Sequence, residues 1–308
     1  MSLSEILTNG FRLTNRYWQL VFIHLGGVFL LFIILFFSFL IPLVAGGYQN
    51  LLRDFEWGDL LETRFEEFSI EDFATLLLIF LPSLFLGITL SLCLYIFLSG
   101  GVKGIYKDDL LQVGVQSALG GEPLRFSFSR FIQNGKVYFW RIAGIWTLLG
   151  LLLLPLLLFF GLYIGGIVWM FKEEKVGEAL LILFSLGFLL LLLSFFFTLF
   201  AHFSNIILVM ENRGAGSALR EGFRFLKSHF GSSAGLYILL VLIQLGIGFA
   251  FSIFQFPFSF IPILGTLIYL FLLPLQTLLS IYLTLFLTAT LMVFYKDRTR
   301  GETVEFQL

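Results

Sequence analysis

Apolar residues run along this chain in long blocks, without the alternate spacing of a half-buried strand or the three-and-four spacing of a surface helix. Leu148 to Phe160 holds no polar side chain, and Phe184 to Phe200 holds only Ser185, Ser194 and Thr198. A helix that is apolar all round has no face for water, so its surroundings are a protein core or lipid. Blocks able to cross roughly 30 Å of hydrocarbon at about 1.5 Å per residue occur six times. They lie at about 19–46, 73–98, 142–171, 178–210, 234–256 and 263–294. The pattern predicts an all-α, polytopic membrane protein of six spans. The fourth and sixth blocks are longer than a perpendicular helix needs, which implies tilt, a kink or an extension. Pro42, Pro155 and Pro274 mark expected bends, and Pro82 falls in the first turns of its span, where a missing backbone N–H costs little.

A short amphipathic, basic segment precedes each odd-numbered span. In the first, Leu3, Ile6, Leu7, Phe11, Thr14, Tyr17 and Trp18 follow helical spacing on one face, with Glu5, Asn9, Arg12 and Arg16 on the other. In the third, Leu219, Phe223, Leu226 and Phe230 form the apolar stripe, and Arg213, Arg220, Arg224 and Lys227 the basic one. Gly10-Phe11-Arg12 recurs as Gly222-Phe223-Arg224, and an aromatic, Trp18 or Phe230, follows each glycine by eight positions. The middle segment, Phe128 to Arg141, offers Phe131, Tyr138, Phe139 and Trp140 with Arg130, Lys136 and Arg141, and reads as lacking the glycine. The whole chain, 1–308, therefore reads as one membrane domain of three repeated units at about 1–108, 122–212 and 213–298, with 299–308 as a tail. Such segments either lie in the headgroup plane, with basic residues on anionic lipid, or simply extend their spans.

Charge placement gives the expected orientation, because Lys and Arg are retained on the cytoplasmic side. Arg12 and Arg16, then Lys103, Lys107, Arg125, Arg130, Lys136 and Arg141, then Arg213, Arg220, Arg224 and Lys227, then Lys296, Arg298 and Arg300 give 2 + 6 + 4 + 3 = 15 on one side. Arg53, Arg64, Lys172 and Lys175 give 4 on the other, which completes the 19 basic residues. Both ends are expected in the cytoplasm. Met1-Ser2-Leu3-Ser4-Glu5 lacks the basic start of a cleaved signal, so the first span is expected to be retained.

The repeated Gly-Phe-Arg segments before paired spans, and a last span running into Tyr295-Lys296-Asp297-Arg298-Thr299-Arg300-Gly301-Glu302, resemble the membrane domain of some bacterial glycerophosphodiester phosphodiesterases and related stand-alone membrane proteins. The resemblance covers nearly the whole chain. It implies a bacterial inner-membrane module of six helices. The activity of the fused relatives belongs to a separate soluble barrel, for which Tyr295 to Leu308 leaves no room, so it is not expected to carry over.

Intramembrane chemistry usually requires ionisable groups at depth, and the six blocks are read as containing no buried Asp, Glu, Lys or Arg. The histidines, His24, His202 and His229, do not take a His-Glu-x-x-His spacing. His202 with Ser204 and Asn205 is the candidate intramembrane polar spot, read first as a helix-to-helix hydrogen bond. Gln244, Gln255 and Gln276 are read in the same way. Glu173-Glu174 resembles the paired glutamates of some intramembrane proteases, but Glu178 stands where those carry arginine, so the pair reads as a solvated turn. Ser83, Ser185, Ser194 and Ser280 lack a Gly-x-Ser-x-Gly setting. The lone Cys93 lies in an apolar block and has no second cysteine for a disulfide or a thiolate metal site. Residues 47–72 mix acidic with aromatic residues, as in a surface-lying amphipathic segment, and Ser69 is the expected cap of the second span.

Composition agrees with the blocks: 58% hydrophobic and 13% charged, against roughly 25% charged in soluble domains. A net charge of -1 gives no sign of nucleic-acid binding. The expected function is a non-enzymatic membrane module, a scaffold, accessory subunit or envelope-homeostasis factor, with no cofactor or metal. It would engage anionic lipid or a membrane-protein partner through Arg12, Arg16, Arg130, Lys136, Arg141, Arg220, Arg224 and Lys227. The alternative is a transporter or lipid-handling protein with a groove between kinked helices, on which His202, Asn205, Gln244 and Gln276 would converge.

Overall fold

The structure, a computed structural model, describes residues 1–45, 70–119, 125–172 and 176–305. The 47–69 part of the acidic segment with Ser69, and the Glu173-Glu174 pair, lie outside the described residues. The chain is all-α. Its helices are α1 (Leu3–Arg16), α2 (Gln19–Ala45), α3 (Ile70–Leu119), α4 (Phe128–Lys172), α5 (Val176–Met210), α6 (Ala215–Gln255) and α7 (Pro262–Glu305), with a 3-10 turn at Phe256–Phe260 before the last. All but α1 are long and apolar enough to cross a membrane, so the protein is a multi-pass membrane protein.

Two compact units make up the chain, Phe22–Leu98 and the combination of Met1–Val21 with Ser99–Leu308. In the first, α2 and α3 run antiparallel. Ser83 Oγ donates to the Ser38 carbonyl at 2.7 Å, and Phe39 meets Phe80 edge-on with centroids 5.3 Å apart. A Cβ on Gly87 would collide with the Ser38 side chain, and one on Gly27 with Leu98. Small residues thus set the close approach of this pair, as packing within lipid favours.

In the second unit, burial is uneven along the helices. Ile6, Tyr17, Tyr106, Phe131, Ile142, Phe203, Ile206, Leu226, Leu291 and Phe294 are all buried, and all lie towards the end where the basic residues gather. Farther along the same helices Leu152, Phe184, Phe249 and Phe271 are 65%, 81%, 68% and 80% exposed. Apolar surface on that scale suits acyl chains and not water.

One expectation is corrected by the helix bounds. Residues 99–119, read as part of a polar connection, continue α3 as helix, and α4 already starts at Phe128. Lys103, counted as a loop charge, and the nearby Asp109 are therefore buried in helix packing at 7% and 4% exposure. The polar composition of this stretch concealed the reason. Gly101 and Gly104 let α4 approach so closely that added Cβ atoms would strike Phe131 and Asn134, and that contact shelters the neighbouring charges.

Pro42, Pro155 and Pro274 lie within α2, α4 and α7. Non-helical backbone falls at His229 in α6, with φ -123 and ψ 26. Serines take up the groups released there. Ser228 Oγ donates to the Phe225 carbonyl at 3.0 Å, and Ser232 Oγ to the His229 carbonyl at 3.1 Å. The turn between α5 and α6 closes on Asn212 in a left-handed conformation, φ 55, with the Arg213 N–H reaching back to the Leu208 carbonyl at 3.1 Å.

Candidate functional site: the basic end of the bundle

The three basic lead-in segments gather at one end of the larger unit but differ in build. The first is a separate helix, α1, started by a reciprocal cap. The Glu5 N–H donates to Ser2 Oγ at 3.3 Å, and the Ser2 N–H to Glu5 Oε2 at 2.8 Å. The second runs straight into α4, and the third into α6 across the His229 kink.

Each segment rests on the span that precedes it, with α1 resting on α7. Gly10 lies so near Thr290 that a Cβ would stand 2.9 Å from the Thr290 Cα. At Gly222 it would stand 3.2 Å from the Ser204 Cα. The middle segment does hold a glycine, contrary to the sequence reading. Gly135 is buried, and its carbonyl oxygen is 3.5 Å from where a Cβ on Gly100 would be. The overlooked signal is the dipeptide Asn9-Gly10, repeated as Asn134-Gly135.

The spans that receive these segments also share a pattern. Thr198-Leu199-Phe200 is followed by Ser204, and Thr284-Leu285-Phe286 by Thr290 at the same spacing. Tyr295-Lys296-Asp297 near the end of α7 reappears as Tyr106-Lys107-Asp108 in α3. Both Lys-Asp pairs make helix-to-helix contacts. Lys107 Nζ donates to Tyr138 Oη at 3.1 Å, Asn134 Nδ2 to Asp108 at 3.2 Å, and Lys296 Nζ to the Leu110 carbonyl.

The candidate lipid or partner contacts divide into structural and exposed groups. Arg16 Nη1 binds both oxygens of Asp109, at 2.7 and 2.9 Å, and Tyr17 Oη donates to the same carboxylate at 3.0 Å. A buried carboxylate requires such partners. Burial, and then the Asp109 charge, push the Tyr17 hydroxyl well above its ordinary pKa. Arg141 Nη1 holds the α5–α6 turn through the Asn212 side chain and its carbonyl oxygen, the latter at 3.2 Å. Arg224 pairs with Glu221 on its own helix at 2.9 Å. Arg12, Arg130, Lys136, Arg220 and Lys227 are exposed.

His202, Ser204 and Asn205 do not converge. The His202 ring lies 5.7 Å from that of Tyr237, Ser204 faces Gly222, and Asn205 turns its Nδ2 back to the Ala201 carbonyl at 2.8 Å. A groove of about 290 Å³ between α5 and α6 is lined by Ser194, Thr198, Tyr237 and apolar neighbours, and His202, Asn205, Gln244 and Gln276 are not among its walls.

A second cavity, of about 470 Å³, opens among α1, α3 and α7. Asn9, Arg12, Arg16 and Lys296 supply its donors, and Asp109 and Asp297 its carboxylates. Comparison with protein-family models, curated proteins and solved structures finds no match to this chain.

Proposed function

We propose that the protein is a non-enzymatic module of a bacterial inner membrane, related to the membrane domains it resembles. In this reading both ends face the cytoplasm and the basic segments engage the anionic leaflet. One observation carries it. Every lead-in segment exposes aromatic rings beside exposed cations: Phe11 and Trp18 with Arg12, Phe128 and Trp140 with Arg130 and Lys136, Phe223 and Phe230 with Arg220 and Lys227. Trp140 is 80% exposed, a state that suits a headgroup layer better than water. The apolar stripes divide their work. Ile6, Leu13 and Leu226 pack inside the protein, while Phe11, Phe223 and Phe230 stay outside it.

The close contacts at Gly10 and Gly222, and the burial of Gly135 beside Gly100, support a threefold repeat in which each segment packs on the span before it. The gathering of α1 and the end of α7 at the same end as the basic connections supports an N-in, C-in arrangement.

The test uses the full chain in bilayer discs. Anionic phosphatidylglycerol should be enriched around the wild type relative to phosphatidylcholine, and salt should weaken the preference. Gln at Arg130, Lys136, Arg220 and Lys227 together should remove most of it. An unchanged lipid ratio in that variant would reject the reading.

A second reading, lipid handling, rests on the lateral α5–α6 groove, whose hydroxyls Ser194 and Thr198 line an otherwise apolar wall. Val241→Trp should fill that groove and block photo-crosslinking of a lipid-borne diazirine to Tyr237. Undiminished crosslinking would reject it.

A further inference from the structure

The cavity among α1, α3 and α7 bears on the lipid-engaging reading and rests on it, but it names a discrete site. Asn9, Arg12 and Arg16 occupy successive turns on one face of α1 and line the cavity with Lys296 from α7. Its two carboxylates are already engaged. Asp109 is held by Arg16 and Tyr17, and Asp297 lies 3.2 Å from the Met1 amine. Arg12 makes no ion pair or hydrogen bond with any described residue, so its guanidinium is available at the cavity wall. The Leu110 carbonyl fixes the Lys296 ammonium at the same wall.

We propose that this cavity binds one phosphate group, the headgroup phosphate of an anionic phospholipid or a soluble phosphate of the same chemistry. A guanidinium presents a planar fork to two phosphate oxygens, and an ammonium answers a third as a point charge. Asn9 adds an amide donor. Leu13, Leu110 and Val293 complete the wall with apolar surface that suits the methylenes of a glycerol ester. The volume of about 470 Å³ lies within the range of small-ligand sites. Phe11, next in the chain to Arg12, is half exposed and meets Tyr282 and Phe286 edge-on, each at 6.4 Å, so an apolar surface adjoins the cation as a lipid ligand requires.

The test is native mass spectrometry of the full chain in detergent, with dioctanoyl phosphatidylglycerol, dioctanoyl phosphatidylcholine, inorganic phosphate and succinate as separate additives. One phosphatidylglycerol per chain should be retained, about tenfold more tightly than the zwitterionic lipid, and Arg12→Gln should weaken it by about tenfold. Gln at Arg220 and Lys227, which lie outside the cavity, should leave that single site unchanged. Displacement by inorganic phosphate, lost in Arg12→Gln, would identify a soluble phosphate as a competent ligand; retention of the lipid against phosphate would identify the headgroup. Equal binding of succinate would overturn phosphate recognition. So would an Arg12→Gln protein that matches the wild type, or equal losses in the Arg220 and Lys227 control. The last pattern would leave the general leaflet-binding reading intact. Bilayer discs without lipid enrichment, beside a preserved Arg12-dependent site, would remove that reading and keep this one.

Discussion

Helix α1 and the first turns of α6 carry the same tripeptide in the same setting, yet they are tied to the rest of the protein differently. In both, the glycine is buried against a hydroxyl residue, Thr290 or Ser204, while the next two residues, Phe-Arg, remain outside. Ile6, Leu13 and Thr14 are buried in one, and Ala218, Phe225 and Leu226 at the matching positions of the other. Seven positions after each glycine the backbone leaves the helix, at Tyr17 with φ -112 and ψ 39, and at His229 with φ -123 and ψ 26. The difference lies in what holds the break. Tyr17 and Arg16 fasten α1 to the buried Asp109 of α3, whereas His229 meets Ser228 and the ring of Phe225 on its own helix. Two segments that share a tripeptide thus share a contact surface and differ in their anchor.

Substitution of the two glycines should separate the copies most. Gly10→Ala places a methyl against backbone, 2.9 Å from the Thr290 Cα, and should cost about 2–3 kcal/mol, the upper part of the overpacking range. Gly222→Ala also meets a hydroxyl first, that of Ser204, which can turn away, but the Ser204 Cα is farther at 3.2 Å, so about 1 kcal/mol is expected after the gain in helix propensity. Thermal unfolding in detergent measures both. Ser204→Ala should restore part of the Gly222→Ala loss, and Thr290→Ala should restore little of the other, because its Cα remains.

Removal of an arginine comes next. Arg16→Ala leaves a carboxylate that is 5% exposed, with the Tyr17 hydroxyl still donating to it. A buried pair broken in this way costs about 3–5 kcal/mol, which the 39% exposure of Arg16 reduces to about 2. Arg224→Ala, on an arginine 64% exposed, should change stability by less than about 0.5 kcal/mol. Comparable losses at the two positions would end the distinction between the anchors.

The Tyr17 hydroxyl contributes less to the anchor than Arg16 does. Tyr17→Phe should cost about 1 kcal/mol for its hydrogen bond to Asp109. Its folded-state pKa is raised above the ordinary 10, so the linked stability is present below about pH 10 and declines as pH rises beyond it. An alkaline unfolding profile should therefore be flatter in Tyr17→Phe than in the wild type, while His229→Phe should leave that limb unchanged.

The six apolar helices were legible because lipid imposes a length and an exclusion of charge that any continuous block reveals. The paired Gly-Phe-Arg motifs likewise marked two segments whose glycines both lie against a hydroxyl residue. Gly135 was harder to read, because it is not followed by the Phe-Arg that marks the other two; the Asn-Gly dipeptide it shares with Asn9-Gly10 is a short signal, to which the structure adds its burial against Gly100. Lys103 was misread for a physical reason. Sequence polarity reports what a residue would prefer when alone, and the burial of Lys103 and Asp109 depends on Gly101 and Gly104 admitting a neighbouring helix and, for Asp109, on Arg16, from the far end of the chain, supplying the opposite charge.

Residue by residue, the sequence determined the solvent of each segment, since transfer of a long apolar block into lipid is a local property of that block. Tertiary structure alone decided which charges are structural and which are free. Arg12 and Arg16 stand one turn apart on the same basic face, and nothing in their sequence context separates them. Asp109, distant in sequence, binds one and leaves the other at an open cavity, because ion pairing depends on distances of a few ångströms that only the packing of α1, α3 and α7 sets.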